Sequence, residues 1–286
     1  MFRRVMVPLD GSGFAESALP AAIQLARRSG GEIRLVLVLE PVLSDLDLSP
    51  TDPSEHAAAA EYLASVRENK VSGLGDKVGM TVRPGLAAEE IAAEARDWKA
   101  DVIVMATHGR SGVSRAWLGS VTDRCIRAAN CPVLAVHPTE SGVGPDLTTR
   151  EVIVPLDESA HSEAALPYGV TLAQELGVPL HLVEVISLQR FVNPKHLSAT
   201  MDRGAQAALY LRRHLDRLRR DGLDLRESVV VDPSVASAIL NRAEGSLIVM
   251  STHGRTGIDR AVFGSVADKV IRGATGSVLV IPARAS

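Results

Sequence analysis

The amino-acid sequence predicts an α/β protein made of two tandem copies of one domain, each a five-stranded parallel sheet with helices on both faces. Three observations carry this. The chain has 286 residues, enough for two domains of ~100–200 residues each. It repeats itself: Arg3 to Pro20 reads RRVMVPLDGSGFAESALP, and Arg150 to Pro167 reads REVIVPLDESAHSEAALP. Within each half, short apolar runs alternate with segments of helical spacing, the pattern of a parallel sheet wrapped by crossover helices.

Taken in order, Val5 to Leu9 is an apolar β-branched run and reads as a strand. Glu16 to Arg28 follows with helical spacing at Leu19, Ile23 and Leu25. Ile33 to Leu39 is almost continuously apolar, as a strand buried on both faces should be. The polar stretch from Glu40 to Ser54 reads as a loop, and Ala-rich Glu55 to Val71 as a helix. Val78 to Val82 is a strand, Ala87 to Trp98 a helix, and Asp101 to Met105 a strand. Gly119 to Ala129 is a helix, and Val133 to His137 closes the half as a strand. The second half follows the same course. VIVMATHGRS from Val102 recurs as LIVMSTHGRT from Leu247, and LGSVTDRCI from Leu118 as FGSVADKVI from Phe263. The first domain is expected over 1–138 and the second over 149–286. Residues 139–148, rich in Gly, Pro, Ser and Thr without periodicity, read as a linker.

Composition narrows the function. Net charge is −3, from 31 Lys and Arg against 34 Asp and Glu. No basic excess exists to neutralise phosphates or a membrane surface, so neither nucleic acid nor membrane is expected as a partner. The basic run from Leu211 to Arg220 has an apolar stripe at Leu211, Leu215 and Leu218, and reads as a helix with a solvated face. Aromatics are 3%, too few for a stacking platform. The two cysteines, Cys125 and Cys131, rule out a disulfide scaffold and read as reduced packing residues. No run of ~18 apolar residues occurs to span a bilayer. The first residues reach Asp10 too soon for a signal peptide, and a reducing cytoplasm is expected.

Parallel sheets bind ligands beyond the carboxyl ends of their strands, which directs attention to the loops there. After the first strand comes Asp10-Gly11-Ser12-Gly13; the second copy has Asp157-Glu158-Ser159-Ala160. Ser12 and Ser159 read as helix N-caps. A dinucleotide fingerprint is opposed by Glu16 at its third glycine position and by Glu158 and Ala160 in the second copy. After the fourth strand come Ala106-Thr107-His108-Gly109-Arg110-Ser111-Gly112 and Ser251-Thr252-His253-Gly254-Arg255-Thr256-Gly257. Nine residues separate Gly109 from Gly119-Ser120, and nine separate Gly254 from Gly264-Ser265. Glycines let the backbone approach a ligand. A helix beginning at Ser120 or Ser265 offers unpaired amides and a positive dipole end to a phosphate. Arg110 and Arg255 could add charge-assisted hydrogen bonds. The whole forms an anion cradle without a Walker lysine. His108 and His253 read as turn residues rather than catalysts, and no histidine spacing suits a protein-held metal.

These residues resemble the universal stress protein family in its tandem form, over 1–138 and 149–283. The frame Ala106-x-x-Gly109-x9-Gly119-Ser120, repeated at Ser251, Gly254, Gly264 and Ser265, is similar to that family's ATP signature. Small residues replace its first glycine in both copies. The resemblance implies Rossmann-like domains of the adenine nucleotide alpha hydrolase type, with ATP as ligand and any Mg²⁺ riding on its phosphates. It implies that Asp10 and Asp157 meet the adenosine, with Pro8 and Pro155 lining the same pocket. Val38 and Val185 would meet the adenine through backbone groups, and residues 106–112 and 251–257 would wrap the ribose and phosphates. Gly119, Ser120 and Val121, and likewise Gly264, Ser265 and Val266, would close the phosphate end. The family pairs its fifth strands across a dimer, so a tandem chain is expected to make a pseudo-dimer of its own halves, with a homodimer open. The function implied is a nucleotide-dependent stress or signalling protein acting through a protein partner that the sequence does not name. A slow ATPase or phosphoryl-transfer enzyme, and a scaffold that binds no nucleotide, are the alternatives.

Overall fold

The computed structural model describes residues 1–41, 53–107, 118–137, 147–187, 197–219, 222–252 and 264–282. The chain divides into two compact units, Met1–Leu147 and Thr148–Ala285. In the first unit, β1 (Arg4–Leu9) leads through α1 (Gly13–Glu16) and α2 (Leu19–Ser29) to β2 (Glu32–Leu39). Then come α3 (Pro53–Lys70), β3 (Val78–Pro84), α4 (Ala87–Asp97), β4 (Val102–Ala106), α5 (Ser120–Ala128) and β5 (Val133–Val136). The strands lie in the order β3-β2-β1-β4-β5 and pair in parallel, with Val5 opposite both Ile33 and Val102.

The second unit repeats the plan. It comprises β6 (Val152–Leu156), α6 (Ala160–Glu163), α7 (Leu166–Leu176), β7 (Leu180–Ser187) and α8 (Leu197–Leu218). It continues with β8 (Leu225–Asp232), α9 (Val235–Arg242), β9 (Leu247–Ser251), α10 (Ser265–Gly273) and β10 (Val278–Ile281). Its strand order is β10-β9-β6-β7-β8.

The apolar strands that end each unit are sealed from water. All of β4, β5, β9 and β10 are buried, as continuous apolar runs in a helix-covered sheet must be. Leu25 of α2 and Leu63 of α3 are fully buried, and each such side chain contributes about 1.5–3 kcal/mol through removal from water. On α8, Leu211 and Leu215 are buried while Arg212, Arg213 and Arg217 are exposed, which is the amphipathic split the leucine stripe predicts.

One expectation needs correction. The helix predicted from Glu16 to Arg28 is two helices, α1 and α2, with a break at Ser17 and Ala18. Pro20 lies in the first turn of α2. It has no N–H with which to continue a helix begun upstream, and is tolerated only where a helix starts. Pro167 imposes the same break between α6 and α7. Gly30 and Gly177 end α2 and α7 in the left-handed conformation, at φ 64° and 69°, the usual helix stop for a residue without Cβ.

Candidate functional site

In each unit the chain runs outward from the middle strand to one edge, then returns to the other side. The strand order thus reverses between β1 and β4, and between β6 and β9. A crevice opens beyond the carboxyl ends of such strands. The loops that flank it follow β1 and β4 in the first unit, and β6 and β9 in the second.

After β1 the chain turns on Asp10. Its Oδ1 accepts from the Ser12 amide at 2.9 Å and the Ser12 hydroxyl at 2.6 Å. Ser12 Oγ accepts in turn from Ala15 N at 3.2 Å, capping α1. Asp157 holds Ser159 in the same way, at 3.1 and 2.6 Å, and Ser159 Oγ accepts from Ser162 N at 3.1 Å. Both serines are therefore the N-caps that the sequence predicts. Both turns need a left-handed residue, Gly11 at φ 81° and Glu158 at φ 64°.

After β4, Thr107 is buried and donates its amide to Val136 O at 2.9 Å. Its carbonyl accepts from Gly119 N at 2.5 Å, which brings the start of α5 back to the strand end. Thr122 Oγ1 donates to Ala106 O at 2.9 Å and pins the first turn of α5 to the last residue of β4. In the second unit Thr252 N donates to Ile281 O at 3.0 Å, and Thr252 O accepts from Gly264 N at 2.9 Å. Gly119 and Gly264 stand at the N-cap positions, and among the described residues no side chain caps α5 or α10. A glycine at the N-cap brings no side-chain oxygen of its own to the first-turn amides and the positive dipole end. Ser120 and Ser265 are exposed there, with Val121 and Val266 half-buried beside them. Val38 and Val185 are half-buried near the ends of β2 and β7, opposite Arg83 and Val230.

The fold thus gathers Pro8, Asp10, Ala106, Thr107, Gly119, Ser120 and Val121 at the carboxyl end of the first unit's sheet. It does the same in the second unit for Pro155, Asp157, Ser251, Thr252, Gly264, Ser265 and Val266. His108, Gly109, Arg110, Ser111 and Gly112 lie outside the described residues, as do His253, Gly254, Arg255, Thr256 and Gly257.

Tertiary contacts add groups that local reading of the loops passed over. Glu16 accepts from Tyr62 Oη at 2.9 Å and pairs with Lys70. In the second unit Glu163 accepts from Tyr210 Oη at 2.9 Å and lies 3.3 Å from His214 Nε2. Burial, and then the neighbouring carboxylate, push both phenols well above their ordinary range and keep them protonated donors. The recurrence of Glu16 and Tyr62 as Glu163 and Tyr210 is the signal by which the sequence could have shown them.

The second unit carries a further group. Arg203 of α8 bridges Glu158 at 2.7 Å and the buried Glu184 of β7 at 2.9 Å. The Glu158 carboxylate therefore faces a guanidinium. Cys125 and Cys131 are free thiols that burial pushes up to about 12, so neither is a thiolate at neutral pH. Among the described residues, no helix is long and apolar enough to cross a membrane.

Comparison with known proteins places this geometry. A universal stress protein of Mycobacterium tuberculosis is 30% identical over 183 residues, which cover 64% of this chain and 62% of that protein. The match thus spans less than two thirds of that relative. A universal stress protein of Mycolicibacterium smegmatis is 25% identical over 293 residues, covering 98% of this chain and 97% of that one. The crystal structure of a universal stress protein from Archaeoglobus fulgidus has the same fold, with a TM-score of 0.71 at 20% identity over 97% of this chain and 95% of that one. The model of the universal stress protein family matches twice, at residues 1–137 and 148–282. With nearly every residue inside one of those two matches, the chain belongs to the universal stress protein family, as a tandem member.

Proposed function

We propose that each unit binds ATP at the crevice between its first and fourth strands, and that nucleotide occupancy alters the chain's protein contacts in a cytoplasmic stress response. The observation that carries this reading is the pair of helix N-termini whose N-cap residues are glycines, Gly119 and Gly264, followed by Ser120 and Ser265. Each stands at a strand-order reversal beside an aspartate held in a turn. Amides of that kind suit a phosphate, which satisfies them and meets the positive end of the dipole. The small residues Ala106 and Ser251 leave the backbone approachable. Asp10 and Asp157 suit the ribose hydroxyls, as acceptors already oriented by Ser12 and Ser159.

Bound ATP would supply the anionic charge that these amides stabilise, and Mg²⁺ would travel with its phosphates. The chain's own residues orient the nucleotide and exclude water from its base. The test is calorimetric titration of the intact chain with MgATP. Two ATP per chain are expected. Gly109→Val and Gly254→Val, which put a branched residue at the second position of each sequence frame, should each remove one. No binding, or an unchanged stoichiometry in both variants, overturns the reading.

A further inference from the structure

At the amino-terminal end of the second unit's sheet, away from the crevice, three side chains stand in line. His181 of β7 places Nδ1 3.1 Å from Glu151 Oε2 and Nε2 2.9 Å from Ser228 Oγ. A carboxylate only accepts, so the ring proton belongs on Nδ1, and Nε2 is left to accept from the serine hydroxyl. Glu151 and His181 are buried, while Ser228 is half-buried on β8, the last strand of the unit's order. Arg242, at the end of α9, donates from Nη2 to Ser228 Oγ at 3.1 Å and lies 3.4 Å from His181 Nε2. Arg226 lies 3.6 Å from Glu151 Oε2.

The first unit shows that the fold does not require this. Matching strand registers put Arg34 where His181 stands and Thr81 where Ser228 stands. Arg34 and Arg83 there bond Glu94 of α4 at 2.7 and 2.8 Å, so the strands carry the cations and the helix the acids. In the second unit the helix supplies a cation, Arg242, and the strand side supplies an acid, a base and a hydroxyl, with Arg226 of β8 beside the acid.

We propose that Glu151, His181 and Ser228 form an acyl-transfer site in the second unit that takes small carboxylic esters. Nucleophile, base and orienting carboxylate lie within hydrogen-bond reach in the required sequence. Ser228 Oγ attacks the ester carbonyl carbon while its proton passes to His181 Nε2. The tetrahedral intermediate collapses with cleavage of the bond to the alcohol oxygen. His181 returns the proton to that oxygen, leaving an alcohol and acyl-Ser228. Water, deprotonated by His181, then attacks the acyl carbonyl. The bond to Ser228 breaks, the serine regains its proton from His181, and a carboxylic acid leaves. Arg242, already on Oγ, offers the charge that an oxyanion needs. Glu151 is a positioning residue. Burial favours the neutral imidazole, Arg242 and Arg226 add to it, and together they outweigh Glu151, so the ring is held below its ordinary value in the form a base requires.

The test treats the intact chain with a fluorophosphonate probe and maps the adduct by mass spectrometry, with 4-nitrophenyl acetate hydrolysis alongside. An adduct on Ser228 is expected, absent in Ser228→Ala and slowed by roughly 100-fold or more in His181→Gln, as for loss of a general base. In the unmodified chain the labelling rate should rise with pH through the imidazole ionisation. Ester hydrolysis should fall in parallel in both variants while ATP stoichiometry is unchanged, which separates this proposal from the nucleotide reading. Ser228 left unlabelled in the folded chain overturns it. So does a labelling rate that is equal in His181→Gln.

Discussion

Glu158 holds the left-handed backbone conformation that Gly11 holds in the first unit, at φ 64° against 81°. A side chain there costs about 1–2 kcal/mol, and Arg203 offsets part of that by pairing with its carboxylate at 2.7 Å. Glu158→Gly removes the strain and loses a partly exposed ion pair worth about 0.2–1 kcal/mol. The two changes nearly cancel, so the thermal midpoint should move by less than about 4 °C. ATP affinity in the second unit should barely change, because Arg203 already screens the Glu158 carboxylate and stays paired with Glu184 in the variant. Arg203→Ala instead leaves Glu158 and Glu184 without their shared cation, at about 1 kcal/mol of repulsion, and should weaken that site about fivefold. Calorimetry on the two variants decides it, and the opposite ranking would sink the idea.

Gly169 and Gly204 both lie inside helices of the second unit, yet alanine should act oppositely at the two. A Cβ on Gly169 would meet Val154 Cγ2 at 2.5 Å, where α7 lies close on β6. Gly169→Ala should therefore destabilise by about 1–3 kcal/mol through overpacking. A Cβ on Gly204 meets nothing within 4 Å, so Gly204→Ala should stabilise α8 by about 0.5–1 kcal/mol through helix propensity. Urea denaturation of both variants measures the difference in sign.

Glu94 is the hub of the first unit's ion network. It accepts from Arg34 Nη1 at 2.7 Å and Arg83 Nη1 at 2.8 Å, and Arg34 also lies 4.6 Å from the Trp98 ring centre. Burial alone would raise its carboxyl, but the two arginine hydrogen bonds outweigh burial and hold it below the usual carboxylate range. Glu94→Gln should cost about 2–3 kcal/mol, as for loss of charged hydrogen bonds to arginines that keep some solvent. The stabilisation is present above the unfolded carboxyl value of about 4.3 and is lost as pH falls through the lower folded value. Acid titration of stability in parent and variant should therefore converge at low pH. Parallel curves would contradict the assignment.

His181 sets a second pH dependence, of opposite origin. Its folded value lies below the ordinary 6.5, so the folded chain refuses a proton that the unfolded chain accepts. Above about pH 6.5 the group contributes no pH dependence. Below that, stability falls by at most about 1.4 kcal/mol per pH unit until the folded value is reached. Denaturation of parent and His181→Gln between pH 7.5 and 5 should show this slope in the parent only. Equal slopes would mean that the ring stays solvated.

Much of this protein was legible in local sequence. β-branched apolar runs such as Val5 to Leu9 and Val102 to Ala106 can be satisfied only by burial on both faces, so strand positions and the parallel class followed from composition. Asp10 with Ser12, and Asp157 with Ser159, are bonds across two residues, which makes turn and cap readable as text. Gly119-Ser120 and Gly264-Ser265 likewise announced helix starts, since caps are decided within a few residues. The break at Ser17 was also local, but helical spacing masked it, and Pro20 was the overlooked sign. What the sequence could not show were partners brought together by chain reversal. Arg203 reaches Glu184, and His181 meets Glu151 and Ser228, only after strands and helices have packed. Each of these side chains reads alone as an ordinary charged or polar residue. The free energy of placing it depends on which opposite charge or acceptor the fold delivers within about 3 Å, and that is a property of the packed sheet and helices rather than of any one segment.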